Sequence, residues 1–276
     1  MSYADKVFID NMKDILTNGV WDTDQNVRPH WTDGTPAHTI KKFGIVNRYD
    51  LSKEFPIITI RKSVFKLAID EILWIWQKKS NKIADLNSHI WDSWAGEDGT
   101  IGKAYGYQLG VKHKYKEGEF DQVDRVLYDL KHNPNSRRIM TNIYTFADLN
   151  EMNLYPCAYS MTFNVSGNKL NGILNQRSGD MLTANNWNVV QYAVLLHMFA
   201  QVSNLEVGEL VHVISDAHIY DRHVPIVERI IKNPTFPAPK FKINKDVKNF
   251  YDFTVDDFEL ENYEYNELKE KLEVAI

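Results

Sequence analysis

Cysteine is almost absent from this chain: Cys157 is the only one among 276 residues. No internal disulfide can form, and a lone thiol suits a reducing compartment. No apolar run approaches the roughly 18 residues of a membrane span. The first residues, MSYADKVFIDNMKDIL, carry acids where a secretory leader needs a basic start and an apolar core, so a cytoplasmic location is expected. There is no glycine-rich phosphate loop and no dinucleotide fingerprint. His89, His197, His212, His218 and His223 lack paired-ligand spacing with carboxylates, which leaves no metal site to expect. The net charge of −5 argues against general nucleic-acid binding, though not against a small anionic ligand held by local arginines. No linker, repeat or low-complexity stretch divides the chain, so one domain over residues 1–276 is expected.

What the chain has in quantity is ordered patterning. Its 43 % hydrophobic and 25 % charged residues are those of a globular protein. An amphipathic helix is expected over 2–18, with Val7, Phe8, Met12, Ile15 and Leu16 on one stripe and Gly19 closing it. Residues 20–37 read as a loop carrying Arg28, and 38–60 as strands interrupted near Asp50 to Glu54. The run 63–77 is apolar on nearly all sides, which marks a buried helix, and Glu71 sits inside it. Residues 89–108 mix Trp, Gly and Tyr without a period and read as a binding loop. A short helix follows at 121–132, then Arg137-Arg138 open a strand-like run through Phe146. A strong helix spans 187–203, strand alternation continues beyond Val207, and a second helix runs near 222–232.

The chemistry gathers between Leu154 and Asn188. Tyr159, Met161, Phe163 and Val165 alternate with smaller or polar residues, and Leu170 to Ser178 reads as the return strand after Ser166-Gly167-Asn168. Pairing Val165 with Lys169 puts Cys157 opposite Arg177. A thiol beside a guanidinium is a candidate nucleophile, because a nearby cation favours the thiolate; composition alone equally allows an inert buried cysteine. Arg28, Arg137, Arg138 and Arg177 lie at loop–strand junctions, where planar forks suit a phosphate dianion. Arg137 and Arg138 are adjacent and would point to opposite faces of a strand, which hints at use across an interface. Gln176 and Ser178 flank Arg177, and Asp180 closes this polar cluster. His218 and Tyr220 share a face if extended and can bond a sugar hydroxyl. The Asn188 amide offers both a donor and an acceptor, the complement of a pyrimidine edge, or it serves simply as a helix cap. Glu71, a carboxylate in an apolar helix, is a candidate proton-transfer group or half of a buried ion pair.

At this point the chain resembles the folate-dependent, cysteine-nucleophile thymidylate synthases. The likeness rests on DGTPAHT (33–39), EILWIW (71–76), IWDSWAGEDGTIGKAYG (90–106), NSRRI (135–139), Pro156-Cys157, QRSGD (176–180), WNVVQYAVLLHMFAQV (187–202), SDAHIYDRH (215–223) and the ending VAI. The resemblance implies an α+β single domain with a large mixed β-sheet flanked by helices. It implies reductive methylation of dUMP to dTMP, with 5,10-methylenetetrahydrofolate as both carbon donor and reductant, so that neither a nicotinamide nor a flavin is expected. Cys157 would add to uracil C6, C5 would attack the one-carbon unit, and a base network around Glu71 and Tyr105 would remove the C5 proton. The nucleotide ligands implied are Arg28, Gln176, Arg177, Ser178, Asn188, His218 and Tyr220, with Arg137 and Arg138 lent by the partner of a homodimer. The folate ligands implied are Ile90, Trp91, Trp94, Asp180 and the C-terminal Ile276, with Arg61 and Lys62 as a basic place for the polyglutamate tail.

The chain departs from the family pattern after Asp180. Ala184 stands where the family carries glycine, the usual proline is lost, and Trp187 precedes Asn188. Ala158 replaces the histidine often found after the cysteine. Two rival readings remain: a dUMP hydroxymethylase of the same fold, and a non-catalytic nucleotide- or RNA-binding regulator. An Asn rather than an Asp at position 188 argues for uracil over cytosine.

Overall fold

The structure, a computed structural model, describes residues 1–276. Helix α1 (Tyr3–Asn18) starts on Ser2, whose hydroxyl accepts from the Asp5 N–H, and stops at Gly19. Gly19 has φ −74°, so it is not a left-handed cap; glycine is needed because a Cβ there would lie 2.4 Å from the Ile15 carbonyl. Strands β1 (Val20–Trp21) and β2 (Thr39–Asp50) follow, then helix α2 (Phe65–Trp76). After α3 (Gly106–Gly110), β3 (His113–Tyr115) and β4 (Gly118–Phe120) form a hairpin leading into α4 (Gln122–His132). The rest comprises β5 (Met140–Asn142), β6 (Ala158–Ser166), β7 (Lys169–Asp180), α5 (Asn185–Val202), β8 (Glu206–Tyr220), α6 (Val224–Ile230), β9 (Lys240–Ile243) and β10 (Phe258–Glu261).

One mixed sheet carries the molecule, in the order β1-β2-β8-β7-β6-β5. Its only parallel pair is β7 with β8, and α5 is the crossover between them. Alternation buries Leu210, His212 and Ile214 of β8 on one face. Helices α5 and α2, apolar almost all round, stack on that face in a core of 58 buried residues. This α+β architecture matches the expectation, and no helix is long and apolar enough to cross a membrane.

Three element expectations are corrected. Residues 51–60 do not resume a strand, although Ile57, Ile58 and Ile60 are wholly buried. Side chains serve their backbone instead: Asp5 accepts from the Thr59 and Ile60 N–H groups, Asn186 from that of Ile58, and the Tyr263 hydroxyl donates to the Ile58 carbonyl. The strand expected over 139–146 shrinks to Met140–Asn142, and 3-10 turns occupy Phe146–Glu151. Arg137 and Arg138 therefore sit in a turn, ahead of the strand they were expected to open. The helix expected over 222–232 is Val224–Ile230, entered through a 3-10 turn at Asp221–His223.

The hairpin register holds a compensation. The turn is tighter than expected, so Ser166 pairs with Lys169 and Val165 with Leu170. A β-bulge between Ala158 and Ser160 restores the lost residue, so Ala158 pairs with Gln176. Cys157 consequently faces Arg177, whose N–H donates to the Cys157 carbonyl at 2.9 Å.

Candidate active site

The site lies where β6 begins and β7 ends. The Arg177 guanidinium is locked over Cys157: Nε donates to the Pro156 carbonyl at 3.0 Å and Nη2 to the Tyr155 carbonyl at 2.7 Å. Nη2 is 3.8 Å from the Cys157 sulfur. The Tyr105 hydroxyl accepts from the Cys157 N–H at 3.1 Å. Tyr105 itself is held at φ 46°, a conformation that costs a non-glycine residue strain and gathers at functional sites. Gly106 allows this placement, since a Cβ there would be 2.3 Å from the Ser80 carbonyl.

The cation acts on the thiol in the expected direction, but burial outweighs it. Burial pushes the Cys157 thiol up, and the attraction of Arg177 and Arg28 offsets this only in part. In the ligand-free protein Cys157 is mainly a thiol at neutral pH.

Glu71 lies inside α2, and burial raises its carboxyl to about 7 against the hydrogen bonds that hold its charged form. Those donors are the indoles of Trp187 and Trp91, the latter at 2.9 Å, while the nearby Gln191 Nε2 has no hydrogen-bond partner. The alternative of a buried ion pair is excluded, since no cation lies within 4.0 Å of Glu71.

A directed chain of amides runs from Gln191 back to β8. The Ser178 carbonyl can only accept, so it takes the Gln176 amide N–H, at 2.9 Å. The same amide nitrogen donates to Asn188 Oδ1 at 3.1 Å, and Asn188 Nδ2 donates to Gln191 Oε1 at 3.1 Å. Gln176 Oε1 is left facing His212 Nε2 at 2.7 Å, which must then carry the proton. The orientation of Asn188 is thus set by the Ser178 carbonyl through Gln176: one hydrogen of Nδ2 and one lone pair of Oδ1 remain for a ligand.

His212 is fully buried, and burial pushes its pKa down to about 3. The sign follows: the unfolded chain takes up a proton near 6.5 while the folded one does not, so stability falls as pH drops through that range. Between pH 6.5 and 5 this group should cost about 2 kcal/mol of folding stability. Urea unfolding of His212→Gln should show a flatter pH dependence over that window; equal slopes would refute the assignment.

The remaining expected residues fall as follows. His218 (buried) and Tyr220 (partly buried) project from one side of β8 with ring centroids 5.1 Å apart, and Asp216 bonds His218 Nδ1 at 2.7 Å. Asp180, Arg28, Cys157 and Asp216 all act electrostatically on the Tyr220 hydroxyl, which brings these groups into one neighbourhood. Asp180 also accepts from the backbone of Leu182 and Thr183, bracing the turn into α5. Trp91 is buried, 4.9 Å from Tyr105 and 5.6 Å from Trp94, and Ile90 is exposed beside it. Ile276 exchanges two backbone hydrogen bonds with His30, next to the Arg28 loop, and Ala275 packs on Trp31.

Arg61 is a correction. It is buried rather than on a basic surface, and its guanidinium donates to the Lys62 and Leu182 carbonyls. Lys62 is the exposed cation of the pair, over the Tyr265 ring and near Glu267. Arg28, Arg137 and Arg138 are exposed and have no carboxylate within 4.0 Å, whereas Arg48, Arg125, Arg222 and Arg229 are all paired. Gln191, Trp187 and His212 are parts of the site that sequence reasoning did not assign. Their signals are an i+3 spacing from Asn188, the departure before Asn188, and the buried parity of β8.

A thiol under guanidinium groups, beside a buried carboxylate and an oriented amide, is the equipment of an enzyme that works by covalent addition to a polar, anionic substrate. A sequence profile of thymidylate synthases matches residues 6–276. Thymidylate synthase 1 of Bacillus spizizenii is 46 % identical over 281 aligned residues, covering all of both chains. The thymidylate synthase of Bacillus phage phi3T is 46 % identical with the same full coverage. The solved thermostable thymidylate synthase A of Bacillus subtilis superposes with a TM-score of 0.95 at 45 % identity, over 100 % of each chain. The chain belongs to the thymidylate synthase family.

Proposed function

We propose that this chain methylates dUMP to dTMP with 5,10-methylenetetrahydrofolate as carbon donor and reductant. The observation that carries the reading is the placement of Cys157 under Arg177 within a chain that is family-like from end to end. Arg28, Arg177 and Ser178 take the phosphate. His218 and Tyr220 take the deoxyribose. Asn188, oriented by Gln176, accepts from uracil N3–H and donates to O4; cytosine presents the opposite polarity at both atoms. Cys157 adds to C6, which makes C5 nucleophilic, and the group around Glu71 and Tyr105 moves the C5 proton. The folate supplies the one-carbon unit and the hydride. Ile90, Trp91 and Trp94 form its apolar wall, Asp180 its polar contact, and the segment ending at Ile276 closes over both ligands. The hydroxymethylase reading finds no support among the relatives, which are named synthases.

The active unit in this reading is a homodimer in the cytoplasm, where the lone thiol stays reduced. One sheet face favours it: Met140, Ile173 and Val46 are 52 %, 41 % and 56 % exposed. Met140, Thr162, Ile173 and Val211 pair strand to strand in one row across that face. A second copy laid there would cover the row and bring Arg137 and Arg138 to the neighbouring site.

Incubation with dUMP and methylenetetrahydrofolate should yield dTMP and dihydrofolate in equal amounts. Hydroxymethyl-dUMP without dihydrofolate would overturn the reading.

A further inference from the structure

Glu71 is a carboxylate buried in α2, and each of its oxygens is taken by a different indole. Trp91 donates to Oε1 and Trp187 to Oε2. We propose that Trp187 is a positioning residue for the proton-transfer step, its indole N–H holding the Glu71 carboxylate ionised and in a single rotamer.

The geometry argues this in three ways. First, Trp187 lies in the first turn of α5, one residue before Asn188, so the base reader and the carboxylate clamp share one helical turn. Second, the two indoles approach from different elements, α5 and the 89–94 loop, and together prevent the carboxylate from rotating between them. Third, no cation compensates Glu71. Of the titratable groups near it, Asp70 on its own helix opposes a negative charge, and Tyr105 and Tyr192 are kept neutral because burial raises their hydroxyls, so none supplies positive charge. Asp70 is itself tied to the Asn87 backbone and amide. Neutral donors alone therefore keep Glu71 able to accept a proton, and burial has already raised its carboxyl to about 7. Loss of one donor would leave it largely protonated at neutral pH, unable to receive the proton that leaves C5 through the intervening hydroxyls or solvent.

This proposal rests on the synthase reading above. The test is Trp187→Phe, which keeps the ring and removes only the N–H. Release of tritium from 5-tritiated dUMP and formation of dTMP are followed from pH 6 to 9.5. The acidic limb of kcat should move up by about one pH unit, a roughly fivefold loss at pH 7 that recovers at high pH. The KM for dUMP should stay within about twofold, because Trp187 acts through the carboxylate. A uniform loss at every pH, with the limb unmoved, would make Trp187 a packing residue and overturn the proposal. A cycle with Glu71→Gln guards against a folding artefact: in that background Trp187→Phe should cost nothing further, and additive losses also overturn it. If the unaltered enzyme makes no dTMP, the synthase reading fails instead.

Discussion

Cys157→Ala should lower dTMP formation by at least about 10⁴-fold while dUMP binding changes only a few-fold. Everything that holds the nucleotide in the proposed arrangement stays in place: the Arg177 guanidinium is anchored by the Tyr155 and Pro156 carbonyls, not by the sulfur. Asn188 keeps its orientation, because the Ser178 carbonyl sets it through Gln176. Only the covalent route is lost, and without addition at C6 the C5 carbon has no means of becoming nucleophilic. Serine should rescue little, since an alcohol at this position lacks the acidity that lets Arg177 stabilise its anion. Because burial raises the thiol pKa in the free protein, alkylation of Cys157 by iodoacetamide should be slow at pH 7 and rise steeply on the alkaline side. Arg177→Ala should shift that rise further up. Dihydrofolate production persisting in Cys157→Ala at near-normal rates would refute nucleophilic catalysis by this residue.

The parts of this molecule legible in the sequence are those where one residue is out of keeping with its surroundings. Glu71 in an apolar helix is such a residue, and the structure leaves it uncompensated by any cation. Cys157 opposite Arg177 is legible too, although for an incomplete reason: the expected turn was one residue too long, and an unforeseen bulge at Tyr159 cancels the error. What periodicity could not reveal is satisfaction at a distance. Residues 55–60 look like a strand because they are apolar, yet their hydrogen bonds go to Asp5, Asn186 and Tyr263, far away in the chain. Arg61 looks like a surface cation beside Lys62, but the turn at Leu182 draws it inside. The amide chain from His212 to Gln191 joins two strands and a helix, and its members are ordinary residues until the fold aligns them. The thiol pKa turns on a balance of burial against charge, which no spacing rule contains.

The second large effect concerns sites built from two chains. Cys157→Ala and Arg138→Ala proteins should each be nearly inactive, yet mixing them under conditions that exchange subunits should restore activity to about a quarter of the wild-type level, the share of sites left intact in a random two-fold assembly. Each mixed dimer then holds one site with the Arg138→Ala chain's Cys157 and the Cys157→Ala chain's Arg138, and one site with both defects. The physical case begins with unpaired charge. Within one chain Arg137 and Arg138 are exposed and have no carboxylate, while the charges acting on Cys157 are those of Arg177 and Arg28. A phosphate dianion suits more than two forks, and two exposed adjacent guanidinium groups repel each other until an anion lies between them. Their turn leads into β5, the edge strand whose Met140 lies on the uncovered sheet row, so a second copy laid on that face would meet these arginines first. Pairing across a two-fold axis is reciprocal, so both sites gain the pair or neither does. Cys157→Ala mixed with a second nucleophile variant, Cys157→Ser, is the control that should stay inactive. No recovery in the Arg138 mixture, with subunit exchange verified by a tagged chain, would place Arg138 outside the partner's site.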